Sequence, residues 1–173
     1  DDSGAGNAAD TEVVTLTLTG TNDAPVLTVD TSGGVTEDAD DPTLTDSGVL
    51  SFTDVDVNDG HTVSAAYNND ASWTGGSLTA GQVAAITAGF NADSDSWDYS
   101  VANSALDFLG AGETITLSFN VTVTDDSGAG NAADTEVVTL TLTGTNDAPV
   151  LTVDTRGGVT EDADDPSLTD SAV

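Results

Sequence analysis

The sequence contains no cysteine, no lysine and only one arginine, whereas 31 of its 173 residues are acidic. Without cysteine it has neither disulfides nor thiolate sites, and with a single histidine it lacks a ligand set for zinc. Basic side chains neutralise the phosphates of nucleic acids, so their near absence excludes nucleic acid as a partner and argues against an anionic membrane surface. No stretch approaches the roughly 20 apolar residues of a membrane helix, so we expect no direct membrane insertion.

The formal charge of −30 at pH 7 is the strongest feature of the composition. Such a charge strains a compact fold by self-repulsion unless cations neutralise it, and divalent metal or high salt would do so. Acidic chains are often disordered, but 37% of these residues are hydrophobic and many fall in alternating, β-branched runs. We therefore expect a folded protein that depends on cations.

A domain-sized repeat organises the chain. Residues 1–31 recur unchanged as residues 125–155, an offset of 124 (125 minus 1). The match continues to the last residue with three differences, which are Ser32/Arg156, Thr43/Ser167 and Gly48/Ala172. A match of this length is not chance, and its period is that of a whole domain, too long for a solenoid unit.

The phrase Thr21-Asn22-Asp23-Ala24-Pro25 predicts where one domain begins. It is a short Asx- and Pro-rich stretch between strand-like runs, as is typical of an inter-domain joint. A boundary there gives one complete domain over residues 21–144. Residues 1–20 are then the C-terminal strand of a preceding repeat, and residues 145–173 are the N-terminal strands of a following one. We expect the chain to be a monomeric piece of a longer tandem protein, with adjacent identical repeats as its partners.

Alternating runs predict an all-β fold. In Glu113–Asp125 and Asp134–Gly144 apolar residues alternate with Thr and Asn, which is the pattern of half-buried antiparallel strands. The loop between them is a long hairpin connection rich in Gly, Asn and Asp. Many short strands separated by turns favour an antiparallel β-sandwich of about seven strands. The remaining strands are predicted at Pro25–Val29, Gly34–Thr36, Gly48–Asp54, His61–Tyr67 and Ser96–Val101.

Two segments depart from the strand pattern. Thr79–Gly89 has the capping-box spacing between Thr79 and Gln82 and ends on glycine, so it predicts one short helical insertion. Asn103–Leu109 predicts a helical turn whose apolar residues close one end of the core.

Carboxylates cluster where the predicted loops meet. Asp54 and Asp56 follow a strand directly, and alternate residues of an extended chain point the same way, so both can hold one ion, with Asp59 next in the loop. Calcium takes six to eight hard oxygen ligands. The segment is not an EF-hand because, counted from Asp54, Gly60 falls at position seven and position twelve is Ala65. An ordinary solvated acidic turn is the alternative interpretation.

The predicted strand directions enlarge this cluster. With strands running alternately, the loop after Asp54 and the hairpin loop return to the end of the domain where residue 22 enters. We therefore predict a calcium site at that end, with Asp134 as a further candidate beside the residues Asn22, Asp23, Asp54, Asp56, Asp59, Asp125 and Asp126. Asn146 and Asp147 are the equivalent ligands in the second copy of the joint.

Three phrases carry a family resemblance: SGVLSFTDVDVNDGHTVS, WDYSVANSALDFLGAGETITLSFNVTVTDDSG and VTLTLTGTNDAPV. They closely resemble the VCBS-type repeats of giant bacterial surface adhesins, which are often secreted with RTX repeats. The resemblance covers the whole 124-residue unit and implies an immunoglobulin-like or cadherin-like sandwich that acts as an extender, at the cell surface or secreted. This chain departs from the family pattern in its helical insertion, because a minimal immunoglobulin-like sandwich does not need one.

The resemblance also implies several calcium ions per repeat, at or near the joints. Asp54 and Asp56 look like the cadherin DxD element, and Asn22-Asp23 resembles the cadherin linker. At the opposite end of the domain, Glu37 resembles the cadherin strand-A glutamate. The other ligands implied there are Asp38, Glu113, Asn146 and Asp147.

An enzyme is the first rival interpretation, and the sequence disfavours it. His61 is the single histidine, no G-x-S-x-G is present, and Ser127 has no recognisable partner. Paired carboxylates alone would suit a glycosidase, but calcium loops explain them better. We expect no catalytic activity.

A carbohydrate- or ice-binding module is the second rival. Trp73 and Trp97 would form a sugar platform, and Thr139, Thr141 and Thr143 a flat ice-binding array. Core packing accounts for the tryptophans, and β-propensity accounts for the threonines.

Overall fold

The structure is a computed structural model that describes residues 4, 6, 10–37, 41–149, 151–153, 156–159, 167 and 169. Within these residues lie nine β-strands, one α-helix and one 3₁₀ turn. The strands form two sheets packed face to face, which confirms the predicted all-β sandwich.

The first sheet has four strands, all paired antiparallel. Their order across the sheet is β1 (Val26–Val29), β3 (Thr43–Thr53), β7 (Ser96–Ala102) and β6 (Phe90–Ala92). The three-residue strand β6 was not predicted, because so short a segment shows no periodicity.

The second sheet has five strands and carries nine of the 18 buried hydrophobic side chains. Across it lie β2 (Ser32–Thr36), β9 (Ala133–Thr143), β8 (Thr114–Asp125) and β4 (His61–Tyr67), with the two-residue strand β5 (Ser72–Trp73) also on β8. The pair β2–β9 is parallel, whereas the other pairs of this sheet are antiparallel.

The hairpin of β8 and β9 has the predicted alternation. The inward side chains of β9, which are Val138, Leu140 and Leu142, are all 0% exposed. On β8 the five apolar residues from Ile115 to Val123 that alternate with polar ones are at most 3% exposed. Period-two patterning therefore located the centre of the core correctly.

The predicted start of the third strand, Gly48, is wrong. Strand β3 begins at Thr43, because Leu44 points into the core opposite Val101 of β7. The Asp46 carboxylate is half-buried, and its Oδ2 accepts a hydrogen bond of 2.7 Å from the backbone N–H of Gly34. Asp46 and Ser47 are residues that favour turns, whereas tertiary partners hold the segment in the sheet.

The helix α1 (Ala80–Thr87) confirms the predicted insertion. The Thr79 hydroxyl accepts from the Gln82 backbone N–H at 3.3 Å, and the Gln82 side chain accepts from the Thr79 N–H at 2.8 Å. Ile86 is fully buried, and its carbonyl accepts from the Tyr99 hydroxyl at 2.8 Å. No helix in the described part of the chain is long and apolar enough to cross a membrane.

The second predicted helical segment forms a 3₁₀ turn over Asn103–Ala105. Leu106 and Leu109, which follow it, are 0% and 2% exposed. They close one end of the core, as predicted.

The two copies of the repeated sequence differ in structure. Residues 134–143 lie in β9, whereas the identical residues 10–19 form no strand. In this first copy Val14, Leu16 and Leu18 are 91%, 80% and 86% exposed. The described residues beyond 144 also contain no strand. The assignment of both flanks to neighbouring repeats stays a prediction.

Charge is distributed unevenly over the sandwich. The outward positions of β2, β4, β8 and β9 carry no charged residue and are mostly Thr and Ser. On the other sheet, Asp98 is the charged residue at an outward position of a strand. The carboxylates of the described residues therefore lie mainly in the loops, where they crowd together.

We expect Gly48→Ala to destabilise the domain. A Cβ at this position would lie 2.3 Å from Nε1 of Trp97, and Trp97 has no room to move because it is fully buried and donates to the Asp30 carbonyl at 2.8 Å. Overpacking of this kind costs about 1–3 kcal/mol, so the melting temperature falls by several degrees.

Gly81→Ala is the matched control, since a Cβ at this helical position meets nothing within 4 Å. It is expected to leave stability unchanged or raise it by up to about 1 kcal/mol. Equal melting temperatures for Gly48→Ala and the unmodified chain would contradict the close packing on Trp97. Ala172, at the equivalent position in the second copy, lies outside the described residues.

Candidate metal centre

Three carboxylates meet at one end of the sandwich. Asp54, Asp59 and Asp125 each present an oxygen, and the three oxygens lie within 4.8 Å of one another. We call these three residues the acidic cluster. Each comes from a segment that leaves or joins the sandwich at this end, so the fold itself assembles the cluster.

Strand register places the first and last members. Asp54 directly follows the last residue of β3, and Asp125 is the last residue of β8. His61, the first residue of β4, pairs with Asp125, so it reaches the same place. Its Nε2 lies 2.8 Å from Oδ2 of Asp54, and its ring packs on Phe52 with centroids 5.0 Å apart.

Local hydrogen bonds fix the orientation of two cluster carboxylates. Oδ1 of Asp54 accepts from the Asp56 backbone N–H at 2.9 Å. Oδ1 of Asp125 accepts from the Ser127 N–H at 2.9 Å and from its hydroxyl at 2.5 Å. These contacts hold both side chains before any ligand arrives.

The linker that precedes β1 is tied to the cluster. The Asn22 amide donates to Oδ2 of Asp125 at 3.1 Å, and the Asp23 N–H donates to Oδ2 of Asp56 at 2.7 Å. The Asn131 amide donates to the Asn22 carbonyl at 2.7 Å. The chain therefore enters the domain in a fixed position relative to the cluster.

The hairpin loop is tied to the same place. The Asp126 Oδ1 accepts from the Gly60 N–H at 3.0 Å. The structure thus places all seven predicted residues at this end, and among them Asp54, Asp59 and Asp125 bring carboxylate oxygens within 4.8 Å of one another. The candidate Asp134 is occupied elsewhere, because its Oδ2 accepts from the Leu27 N–H of β1 at 2.8 Å.

Mutual repulsion marks the cluster as electrostatically crowded. Burial, followed by the negative charges of Asp56, Asp125, Asp126 and Asp54, raises the pKa of Asp59 above its ordinary value. The hydrogen bond from His61 lowers the pKa of Asp54, and the hydroxyl of Ser127 lowers the pKa of Asp125. Asp54 and Asp125 are thus held in the charged form, and their negative charges oppose the ionisation of Asp59.

An open groove of about 440 Å³ lies beside the cluster. It is lined by linker residues Gly20 and Thr21, and by loop residues that include Asp56, Asp59 and Ser127. The groove has room for a hydrated cation, and its walls add backbone and hydroxyl oxygens to the carboxylates. Apart from the His61 imidazole, whose Nε2 lies 2.8 Å from Oδ2 of Asp54, the donors are hard oxygens, which is the type that calcium takes.

The opposite end of the domain holds a buried carboxylate. Glu37 is 2% exposed, its Oε2 accepts from the Thr145 N–H at 2.9 Å, and its Oε1 has no hydrogen-bond partner among the described residues. Burying half a carboxylate without a partner is costly, so this oxygen is available to a cation. Asn146 and Asp147 are exposed beyond it, and their local hydrogen bond, 3.1 Å, matches the one between Asn22 and Asp23.

Glu113, another predicted ligand of this end, has hydrogen-bond partners within the fold. Oε2 of Glu113 accepts from the Trp73 indole at 3.1 Å and from the Gly110 N–H at 3.0 Å. Its role in the structure is to anchor the turn before β8. Asp38 lies outside the described residues.

Sequence reasoning missed His61 and Asn131 as parts of the site. The sequence prediction includes His61 only as a catalytic candidate. However, His61 begins a predicted strand directly after the acidic loop, and this position is the signal that it lies at the cluster end. Nothing in the sequence pointed to Asn131, because its contact with Asn22 depends on how the hairpin loop folds back.

Comparison with known proteins adds little to this picture. No family model and no curated protein matches the chain. A solved structure that it resembles is AggA, the major subunit of aggregative adherence fimbriae type I from Escherichia coli. The TM-score is 0.41 and the identity 13%, over 74% of this chain and 100% of that chain. A likeness this weak carries no functional argument, so function is inferred from the residues of this chain.

We expect Asp125→Asn to lower stability in a pH-dependent way. The folded-state pKa of Asp125 lies below its ordinary value, so its ionised form stabilises the fold at neutral pH, and that stability is lost as the pH falls through the folded-state pKa. In the presence of chelator, the variant should melt below the unmodified chain at pH 7, and the gap should close in acid.

Circular dichroism melts over a pH series provide the measurement. Ser127→Ala removes only the hydroxyl that donates to Asp125, so its melting temperature should fall below that of the unmodified chain by a smaller amount. Asp107→Asn, an exposed position in the turn after the 3₁₀ segment, should show no gap that closes in acid. A gap for Asp125→Asn that is the same at every pH would contradict the assignment.

Proposed function

We propose that this chain is a spacer repeat of a large bacterial surface adhesin, stabilised by calcium bound in its end loops. The observation that carries the proposal is the convergence of Asp54, Asp59 and Asp125 within 4.8 Å of one another. The sequence resemblance to adhesin extender repeats supplies the biological role, which is to hold a terminal binding domain away from the cell. The chain would then work outside the cell, secreted or at its surface.

The electrostatics of the cluster support a divalent cation. Burial and the negative charges of four neighbouring carboxylates raise the pKa of Asp59, so at neutral pH the ionised form of this residue opposes folding. A calcium ion would reverse the sign of this interaction, because each carboxylate would then face the positive charge of the ion more closely than the charge of its neighbours. Asp59 would therefore destabilise the domain without calcium and stabilise it with calcium.

The two ends of the domain support a role at joints. At one end, Asn22 is bonded to Asp125, so neutralising the cluster would also fix the incoming linker. At the other end, Glu37 binds the outgoing linker at Thr145 and keeps one oxygen without a partner. Calcium at both places would stiffen the path from one repeat to the next, and several ions per repeat would be needed.

A passive mechanical role agrees with the rest of the surface. The long strands have 11 or 12 residues, which corresponds to a domain body of about 36–40 Å at ~3.3 Å per residue. The tryptophans do not favour a sugar platform, since Trp97 is fully buried and Trp73 is half-buried, with its indole bonded to Glu113. We therefore do not propose a carbohydrate-binding function.

Calcium should raise the melting temperature of the chain. Ligand at about 100 times its Kd adds about 2.7 kcal/mol, which corresponds to roughly 10 °C for a domain of this size. Melts in calcium and in chelator, with magnesium as a second ion, provide the test. Identical melting temperatures in calcium and chelator would sink the proposal.

Asp59→Asn is expected to change sign between the two conditions. In chelator it removes like-charge repulsion and should raise the melting temperature, whereas in calcium it removes a ligand and should reduce the calcium-induced gain. Asp107→Asn makes the same charge change at an exposed position away from the cluster, and it should leave the calcium-induced gain intact. If Asp59→Asn and Asp107→Asn behave alike, the cluster is not the calcium site.

A further inference from the structure

Residues 10–19 are a second, unused copy of the central strand β9. Their sequence, DTEVVTLTLT, is identical to that of residues 134–143. The apolar residues that β9 buries completely are 80–91% exposed in the first copy, at Val14, Leu16 and Leu18. An exposed segment with alternating apolar residues is prone to pair with another chain.

The position that this segment fits is that of β9, because residues 134–143, which have the same sequence, fill it in the structure. Strand β9 lies between β8, to which it is antiparallel, and β2, to which it is parallel. In that register Thr141 is paired with both Thr116 and Gly34. Any chain with this sequence in this position would make the same backbone and side-chain contacts.

Residues 10–19 cannot fill that position in their own chain. They lead into β1 through Asn22, which is fixed at the end of the sandwich that holds Asp125. Strand β9 ends at the opposite end, where Thr143 pairs with Thr114. The distance along β9 is about 36 Å, whereas the six residues from 20 to 25 span at most ~22 Å.

We propose that residues 10–19 of one chain take the place of β9 in a second copy of the same chain. The linker from Gly20 would then leave the acceptor where its own β9 ends, so the two sandwiches would be joined head to tail. The displaced residues 134–143 of the acceptor would become exposed and able to invade a third copy. The partner is thus a second copy of this chain, and the contact repeats without closing.

The exchanged and unexchanged forms make equal contacts, so chain concentration decides which of them forms. Because the two segments are identical, the exchanged and unexchanged forms bury the same side chains, and association adds only its entropic cost. The folded monomer is therefore favoured in dilute solution. Exchange takes place when chains fold together at high concentration, and it then persists because reversal requires the acceptor to open.

The test is to refold the full chain at low and at high concentration and to measure mass by light scattering after size exclusion. We expect monomer at low concentration, and dimers and higher species at high concentration that persist after dilution. The double variant Leu16→Asp/Leu18→Asp, which alters only exposed side chains, should stay monomeric. Thr17→Asp adds a charge between them on the other side of the segment and should still associate.

Cysteine cross-linking tests the register, since the chain has no cysteine of its own. Thr17 is the counterpart of Thr141, so Thr17→Cys on one chain should form a disulfide with Thr116→Cys on another when the two are refolded together. Thr43→Cys, on the other sheet, should not react with Thr17→Cys. Monomer at every concentration, association of the double variant, or cross-linking to Thr43→Cys would each overturn the proposal.

Discussion

The pairing of β8 with β9 is the interaction on which the rest of this structure depends. Eleven residue pairs join the two strands, from Thr114–Thr143 to Thr124–Ala133. Their inward side chains form the centre of the core, and β2 and β4 are added on either side. The loop that connects them carries Asp126, Ser127 and Asn131 to one end of the domain. At the other end, the carbonyl of Thr143, the last residue of β9, accepts a hydrogen bond from the Glu37 N–H. One hairpin therefore sets the core and both candidate cation sites.

A chain with a formal charge of −30 folds by keeping its charges off the outward faces of its strands, with Asp98 as the exception. The broad faces are mostly Thr and Ser, which favour strands and remain solvated without repelling one another. The carboxylates are consequently concentrated in the loops, where burial and neighbouring negative charges raise the pKa of Asp59. Because the outward faces carry little charge, carboxylate oxygens collect at the ends of the domain, which is the arrangement that the proposed calcium-dependent spacer requires.

The sequence predicted the fold through its periodic segments and failed where tertiary contacts outweigh local pattern. Alternation located β8, β9 and the core, and the Thr79–Gln82 spacing located the helix. It missed the first half of β3, because Asp46 resembles a loop residue until the Gly34 N–H is placed against its carboxylate. Strand direction and the family resemblance together placed seven carboxylate and amide residues at the cluster end, and they also offered Asp134, which instead accepts from the Leu27 N–H. The sequence did not identify His61 or Asn131, whose contacts arise from register and loop conformation.

By itself the sequence determined which segments can form strands, which residues face inward, and which end of the domain collects oxygen ligands. Only the tertiary structure decided which of two identical segments becomes a strand. Residues 134–143 lie between β8 and β2 and bury their apolar side chains, whereas residues 10–19 have the same propensity but no neighbouring strands and remain exposed. The physical reason is that a β-strand obtains its backbone hydrogen bonds and its burial from neighbouring strands, so its sequence specifies a preference that only a partner can satisfy.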